Sequence, residues 1–160
     1  MRKVLIIGGN GSGKTTMARQ LAEITGLPLC HLDTLYWTDD WQPRERSDFI
    51  TLLQAELEKE EWILDGNMRR TLPQRLPYCD TVIYLDFSGI RCFFGTLKRL
   101  LQNHGQSRPD MGGPARYIVP WFLTMIVSSL MAGTYAPPAV HIPITMAICG
   151  MPIADIRAWL

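Results

Sequence analysis

The sequence predicts an α/β domain built on a parallel sheet, and three observations predict it. Short, continuously apolar runs recur at Val4–Ile7, Leu29–Leu32, Trp62–Leu64 and Thr81–Leu85. Segments of helical period lie between them. Each run ends in a glycine or a carboxylate (Gly8, Asp33, Asp65, Asp86), at the strand ends where open α/β sheets bind ligands.

Taken in order, Val4–Ile7 reads as a central strand covered on both faces. The basic start Met1-Arg2-Lys3 is followed by only four apolar residues. A secretory signal needs about 7–15, so a cytoplasmic location is expected. Lys14 to Thr25 reads as a helix with Met17, Ala18, Leu21, Ala22 and Ile24 on one side, stopped by Gly26 and Pro28. Leu29–Leu32 is the second strand. Trp37 to Arg46, with Pro43, reads as a loop. Ser47 is expected to cap a helix running to about Glu60, with Phe49, Ile50, Leu53 and Leu57 as its apolar stripe. Trp62–Leu64 and Thr81–Leu85 are the third and fourth strands. From Ser88 to Asn103 the pattern is helical, with Ile90, Phe93, Phe94, Leu97, Leu100 and Leu101 sharing a face. Residues 105–116 read as a loop, Ala139–Cys149 as a fifth strand, and Pro152–Leu160 as a closing helix.

A length of 160 residues fits one domain, 1–160, and 47% apolar residues suffice for its core. The net charge of +1, from 16 basic and 15 acidic residues, argues against nucleic acid as the main ligand. Cys30, Cys79, Cys92 and Cys149 have neither zinc nor redox spacing and read as free thiols in a reducing compartment. His31, His104 and His141 are scattered without ligand spacing.

Gly8-Gly9-Asn10-Gly11-Ser12-Gly13-Lys14-Thr15 matches G-x-x-x-x-G-K-[ST] in full. A triphosphate brings several negative charges and many acceptor oxygens. Successive backbone N–H groups must face it closely, which glycine permits, and the following helix N-terminus adds further donors and partial positive charge. Lys14 should reach the β- and γ-phosphates. Thr15 offers a hydroxyl to Mg²⁺, and Thr16 is placed to meet the α-phosphate. The expected cofactors are therefore ATP and Mg²⁺. Asp33 and Asp65, both past strand ends, would face this loop. One suits magnesium, directly or through water, and the other an acceptor hydroxyl.

The phosphate loop, then His31-Leu32-Asp33 with Trp37 and Trp41, then Trp62-Ile63-Leu64-Asp65-Gly66-Asn67, Tyr84-Leu85-Asp86-Phe87 and Arg108-Pro109-Asp110-Met111 occur in this order. Together they resemble the adenylate-kinase-like P-loop proteins called topology modulation proteins, or FlaR-like proteins. The resemblance spans about residues 1–113 and 140–160. It implies a P-loop NTPase of nucleoside-monophosphate-kinase type, three layers α/β/α with five parallel strands in the order 2-3-1-4-5. Adenylate kinases carry a similar Asp-Gly-x-x-Arg, here Asp65 to Arg69. The resemblance thus implies that Asp65 organises the magnesium shell and that Arg69 or Arg70 holds acceptor phosphate. Further arginines should come from a closing, lid-like loop at about 104–116. Arg91, Arg99, Arg108 and Arg116 are candidates, with Arg108 best placed. Trp37 and Trp41 either stack on a base or pack beneath the acceptor-side helix.

The chain departs from this pattern at residues 117–154, which contain no Asp, Glu, Lys or Arg. Burial or a homodimer contact is the favoured reading over an altered segment or a membrane span, since Pro120 interrupts an uncharged run of 17 residues, Tyr117–Gly133. The expected function is ATP- and Mg-dependent phosphotransfer to a small acceptor, with a nucleoside monophosphate first in line. A shikimate- or gluconate-like kinase is one alternative. A nucleotide-binding regulatory module with an ATP-dependent protein or DNA partner is the other.

Overall fold

The computed structural model describes residues 1–40, 42–102 and 145–148. In chain order its elements are β1 Lys3–Gly8, α1 Lys14–Thr25, β2 Leu29–His31, α2 Leu32–Tyr36, α3 Arg46–Glu58, β3 Trp62–Asp65, α4 Leu72–Arg75, β4 Thr81–Leu85, α5 Gly89–Gln102 and β5 Thr145–Ile148. Single 3₁₀ turns at Arg69–Thr71 and Leu76–Tyr78 flank α4. The sheet order is β2-β3-β1-β4-β5. Strands β2, β3, β1 and β4 are parallel.

Strand β5 pairs with β4 antiparallel, with Thr81 opposite Ile148. The all-parallel sheet expected from the sequence is corrected at this edge. An antiparallel edge strand on an otherwise parallel sheet is a common arrangement, because an edge needs no crossover helix. The lid-like loop at about 104–116, Trp41, the closing helix and most of the uncharged stretch lie outside the described residues.

β1 is apolar throughout because both its faces are covered. Leu5 and Ile7 face one core with Leu32, Phe49, Leu53, Leu57, Trp62, Leu64, Leu72 and Leu76. Val4 and Ile6 face another with Ala18, Ile63, Ile83 and Leu85. Helices α2, α3 and α4 thus cover the first face and α1 the second. Alternate residues of one strand serve two layers, as the period of two requires.

Three local expectations need correction. Helix α3 begins at Arg46 with no side-chain cap, and Ser47 lies inside it with its hydroxyl on Asp48 Oδ1 at 3.3 Å. Asp48 in the first turn complements the helix dipole instead. Ile24 is 81% exposed. It stands six residues beyond buried Ala18, about 240° round the helix axis, and so leaves the core stripe. On α5, Ile90 and Phe94 are exposed while Cys92 and Thr96 are buried. The helix turns a small-residue face inward rather than its aromatic one. The sequence also gave no sign of α2, the short helix that carries Asp33.

Cys30, Cys79 and Cys92 are not joined in disulfides, and burial pushes Cys30 up to about 12. Among the described residues no helix is long and apolar enough to cross a membrane.

Leu64→Ala, at the centre of the first core, is expected to cost about 2–5 kcal/mol in urea unfolding. Leu52→Ala, on the solvent side of α3, should cost under about 0.5 kcal/mol.

Candidate active site

The site lies where the parallel strands end. β1 stops at Gly8, the chain passes through Gly9–Gly13, and α1 starts at Lys14. The first free N–H groups of α1 therefore open onto the loop. Ser12 donates its N–H to the Gly9 carbonyl at 3.2 Å, curling the loop into a turn. Lys14 Nζ donates to the Gly9 carbonyl at 2.8 Å. The ammonium thus folds back across the loop. Thr16 is exposed beside it on the first turn of α1.

Strand register delivers the carboxylate. Asp65 pairs with Ile6 on β1 and with His31 on β2. Its side chain is only 6% exposed and reaches across to α1. Thr15 Oγ1 donates to Asp65 Oδ2 at 2.9 Å, and His31 Nδ1 lies 3.0 Å from the same oxygen. A carboxylate only accepts, so His31 carries its ring proton on Nδ1 in this arrangement.

Asp65 Oδ1 is buried with no hydrogen-bond partner among the described residues. Leaving such an oxygen bare costs about 1–3 kcal/mol or more. This orphan is the test of whether the residues suit magnesium, and they do. Thr15 hydroxyl and a carboxylate oxygen are hard donors of the kind Mg²⁺ takes, usually with water completing its shell. Thr15, and Asp65 through water, would hold the ion.

Asp33 sits half-buried on the first turn of α2, two residues beyond the end of β2. It shares the sheet edge with Asp65 but belongs to a different element. Arg69 and Arg70 are both exposed on the 3₁₀ turn after β3. Burial and Asp86 push the Tyr84 phenol up, and Arg69 opposes the rise, which sets Arg69 near the end of β4. Arg91 lies over the Phe87 ring, 4.0 Å from its centroid. Arg99 falls on α5, while Arg108 and Arg116 lie outside the described residues. Trp37 packs edge-on against Tyr36 at 5.0 Å, and Tyr36 in turn meets Phe49 at 5.6 Å.

Three residues escaped the sequence reading as site members. His31 has no metal-ligand spacing in the sequence, yet it buttresses Asp65. Asn67 closes the Leu-Asp-Gly-Asn segment, and nothing local marks it as a partner of the loop. Its Oδ1 accepts the Gly8 N–H at 3.0 Å and its Nδ2 donates to the Gly8 carbonyl. Arg75 is wholly buried on α4 and donates to the carbonyls of Gly66, Asn67 and Met68. The available signal was its place between Leu72 and Leu76, a core-facing position for a charged residue. Burial brings its guanidinium down to about 10.

The loop's other wall is α5. A Cβ at Gly11 would stand 2.1 Å from the Cys92 carbonyl and 2.4 Å from Thr96 Oγ1. A Cβ at Gly95 would stand 2.2 Å from the Gly11 carbonyl. Backbone meets backbone here, which explains why Cys92, Gly95 and Thr96 form the inward face. Burial pushes the Cys92 thiol up, although Lys14 and Arg91 oppose it.

No known family matches the sequence, and no curated protein matches it. In structure the chain is similar to a gluconokinase from Sinorhizobium meliloti, at TM-score 0.47 and 16% identity over 98% of this chain and 88% of that one. It is also similar to a sugar kinase from Janibacter sp., at TM-score 0.43 and 20% identity over 84% of this chain and 99% of that one. Neither likeness is high enough to bear on what this chain does.

Gly11→Ala is expected to push the loop off α5 and lower stability by about 1–3 kcal/mol in urea unfolding. Circular dichroism should still show the folded domain.

Proposed function

We propose that this chain transfers the terminal phosphoryl group of a nucleoside triphosphate to a small acceptor, with magnesium. The observation that carries the reading is the Thr15–Asp65 contact at 2.9 Å with Asp65 Oδ1 left bare beside it. A glycine loop alone explains phosphate binding. A threonine hydroxyl held by a buried carboxylate with an unused oxygen also explains a metal-assisted transfer.

Residues 8–16 would cradle the phosphates through backbone N–H groups. Lys14 would leave the Gly9 carbonyl for the β- and γ-phosphate oxygens. Magnesium, when bound, would supply positive charge against the negative charge of the transferring phosphoryl group. Thr15 and Asp65 are the residues that would seat it. His31 keeps Asp65 in place by occupying Oδ2. Asp33 would accept the proton of an acceptor hydroxyl, or orient it. Arg69, Arg70 and Arg108 would bind acceptor anion or transferring phosphoryl, where a planar guanidinium can bridge two oxygens. Because phosphoryl transfer needs little covalent help, positioning and charge stabilisation suffice as the protein's share.

The acceptor class is tested by offering Mg·ATP with a panel of nucleoside monophosphates, sugar acids and small alcohols, and following ADP release. One acceptor should raise turnover well above the hydrolytic background. ATP binding without acceptor dependence would favour a regulatory module instead.

Lys14→Ala is expected to weaken triphosphate binding by about a hundredfold, read by equilibrium dialysis. Asp65→Asn should lower transfer by about a hundredfold and leave metal-free ADP affinity within about threefold. An unchanged rate in Asp65→Asn would remove that carboxylate from the mechanism.

A further inference from the structure

In a parallel ladder, one residue gives its N–H to the partner strand and its carbonyl to the residue two further along that strand. Gly66 begins such a rung, donating its N–H to the Ile6 carbonyl at 3.3 Å. The next bond should run from the Gly8 N–H to the Gly66 carbonyl. It does not. Arg75 Nη1 takes the Gly66 carbonyl at 2.9 Å, and Gly8 donates to Asn67 Oδ1 at 3.0 Å instead. Asn67 Nδ2 returns a bond to the Gly8 carbonyl, so one side chain stands in for a missing piece of strand.

We infer that Arg75 is a positioning residue that withdraws Gly66 from the sheet so that Asn67 can hold Gly8 at the mouth of the phosphate loop. The inference rests on the phosphate-loop reading above and names what sets that loop's first turn.

The chemistry of Arg75 supports this. Its side chain is fully buried, and no carboxylate lies in hydrogen-bond reach among the described residues. Burying a cation without a counter-charge is expensive, and a hydrophobic residue would fill the space between Leu72 and Leu76 more cheaply. What a guanidinium adds is a rigid fork of donors. Here the fork gathers three successive carbonyls, from Gly66, Asn67 and Met68. Successive carbonyls converge only when the chain bends sharply around one point. Gly66 has φ 148°, and a Cβ there would lie 2.5 Å from the Leu32 Cβ. Met68 has φ 20° and ψ 71°. The bend is thus held by the cation at its centre, not by a ladder. Asp65 precedes the bend, and Arg69 and Arg70 follow it.

The test uses Arg75→Met and, should that variant fold poorly, Arg75→Lys, which keeps the charge but cannot gather three carbonyls. On the ligand-free protein, NMR scalar coupling across the hydrogen bond should link the Gly8 nitrogen to the Asn67 side-chain carbonyl carbon. In the variants that coupling should vanish, replaced by coupling to the Gly66 carbonyl. ADP affinity should fall by about tenfold, no more in Asn67→Ala combined with Arg75→Met than in either alone, as expected for two parts of one device. Retained Gly8–Asn67 coupling would overturn the inference. So would independent, multiplying losses in the double variant. The coupling is read without nucleotide, so a wild-type protein that binds no ADP would sink the functional reading and leave this one standing.

Discussion

The site depends on where the pairing of β1 with β3 stops. The two strands run side by side until Ile6 faces Asp65, and then diverge. Gly8 is paired with Leu85 on β4, and had the ladder with β3 continued it would be held on its other side by Gly66 as well. Because it ends there, β3 stops at the carboxylate while β1 runs two residues further, to Gly8, before the glycine turn begins. Thr15, on the first turn of α1, can then close the gap to Asp65. Loop, hydroxyl and acid are thus brought together by register, with no flexible segment needed to place any of them.

Two layers of helix hold this register. The residues of β1 alternate between the α1 side and the side of α2, α3 and α4, and both cores are closed. Sliding the strand by one residue would exchange its two faces and move the loop off Asp65 together. Core packing therefore fixes the chemistry as well as the stability.

Much of this was legible in the sequence because the signals were local. The apolar runs Val4–Ile7 and Trp62–Leu64, the glycine loop and the stripe of Phe49, Leu53 and Leu57 each report on their own element. Asp65 could be placed from the strand that carries it. What could not be read were relations between elements. Nothing in the order of residues says that Asn67 will grip Gly8, that His31 will meet Asp65, or that Arg75 will turn inward. The α5 stripe misled for a related reason. Hydrophobicity marked Ile90 and Phe94 as the buried side, but close approach to the loop backbone admits only small residues, and size prevailed over apolarity. β5 was misjudged because an edge strand's direction is set by the route the chain takes to reach it, which a local pattern does not record.

The contact of Gly11 with Gly95 binds two remote stretches of chain into a shared gap no wider than a pair of peptide planes. Neither stretch can drift alone over evolutionary time, since a methyl group gained on one side demands space the other has already surrendered. Descendants of this protein would have to keep Thr96 small too, since its hydroxyl stands at the same gap. They would inherit the two hydrogen-only positions as a matched couple.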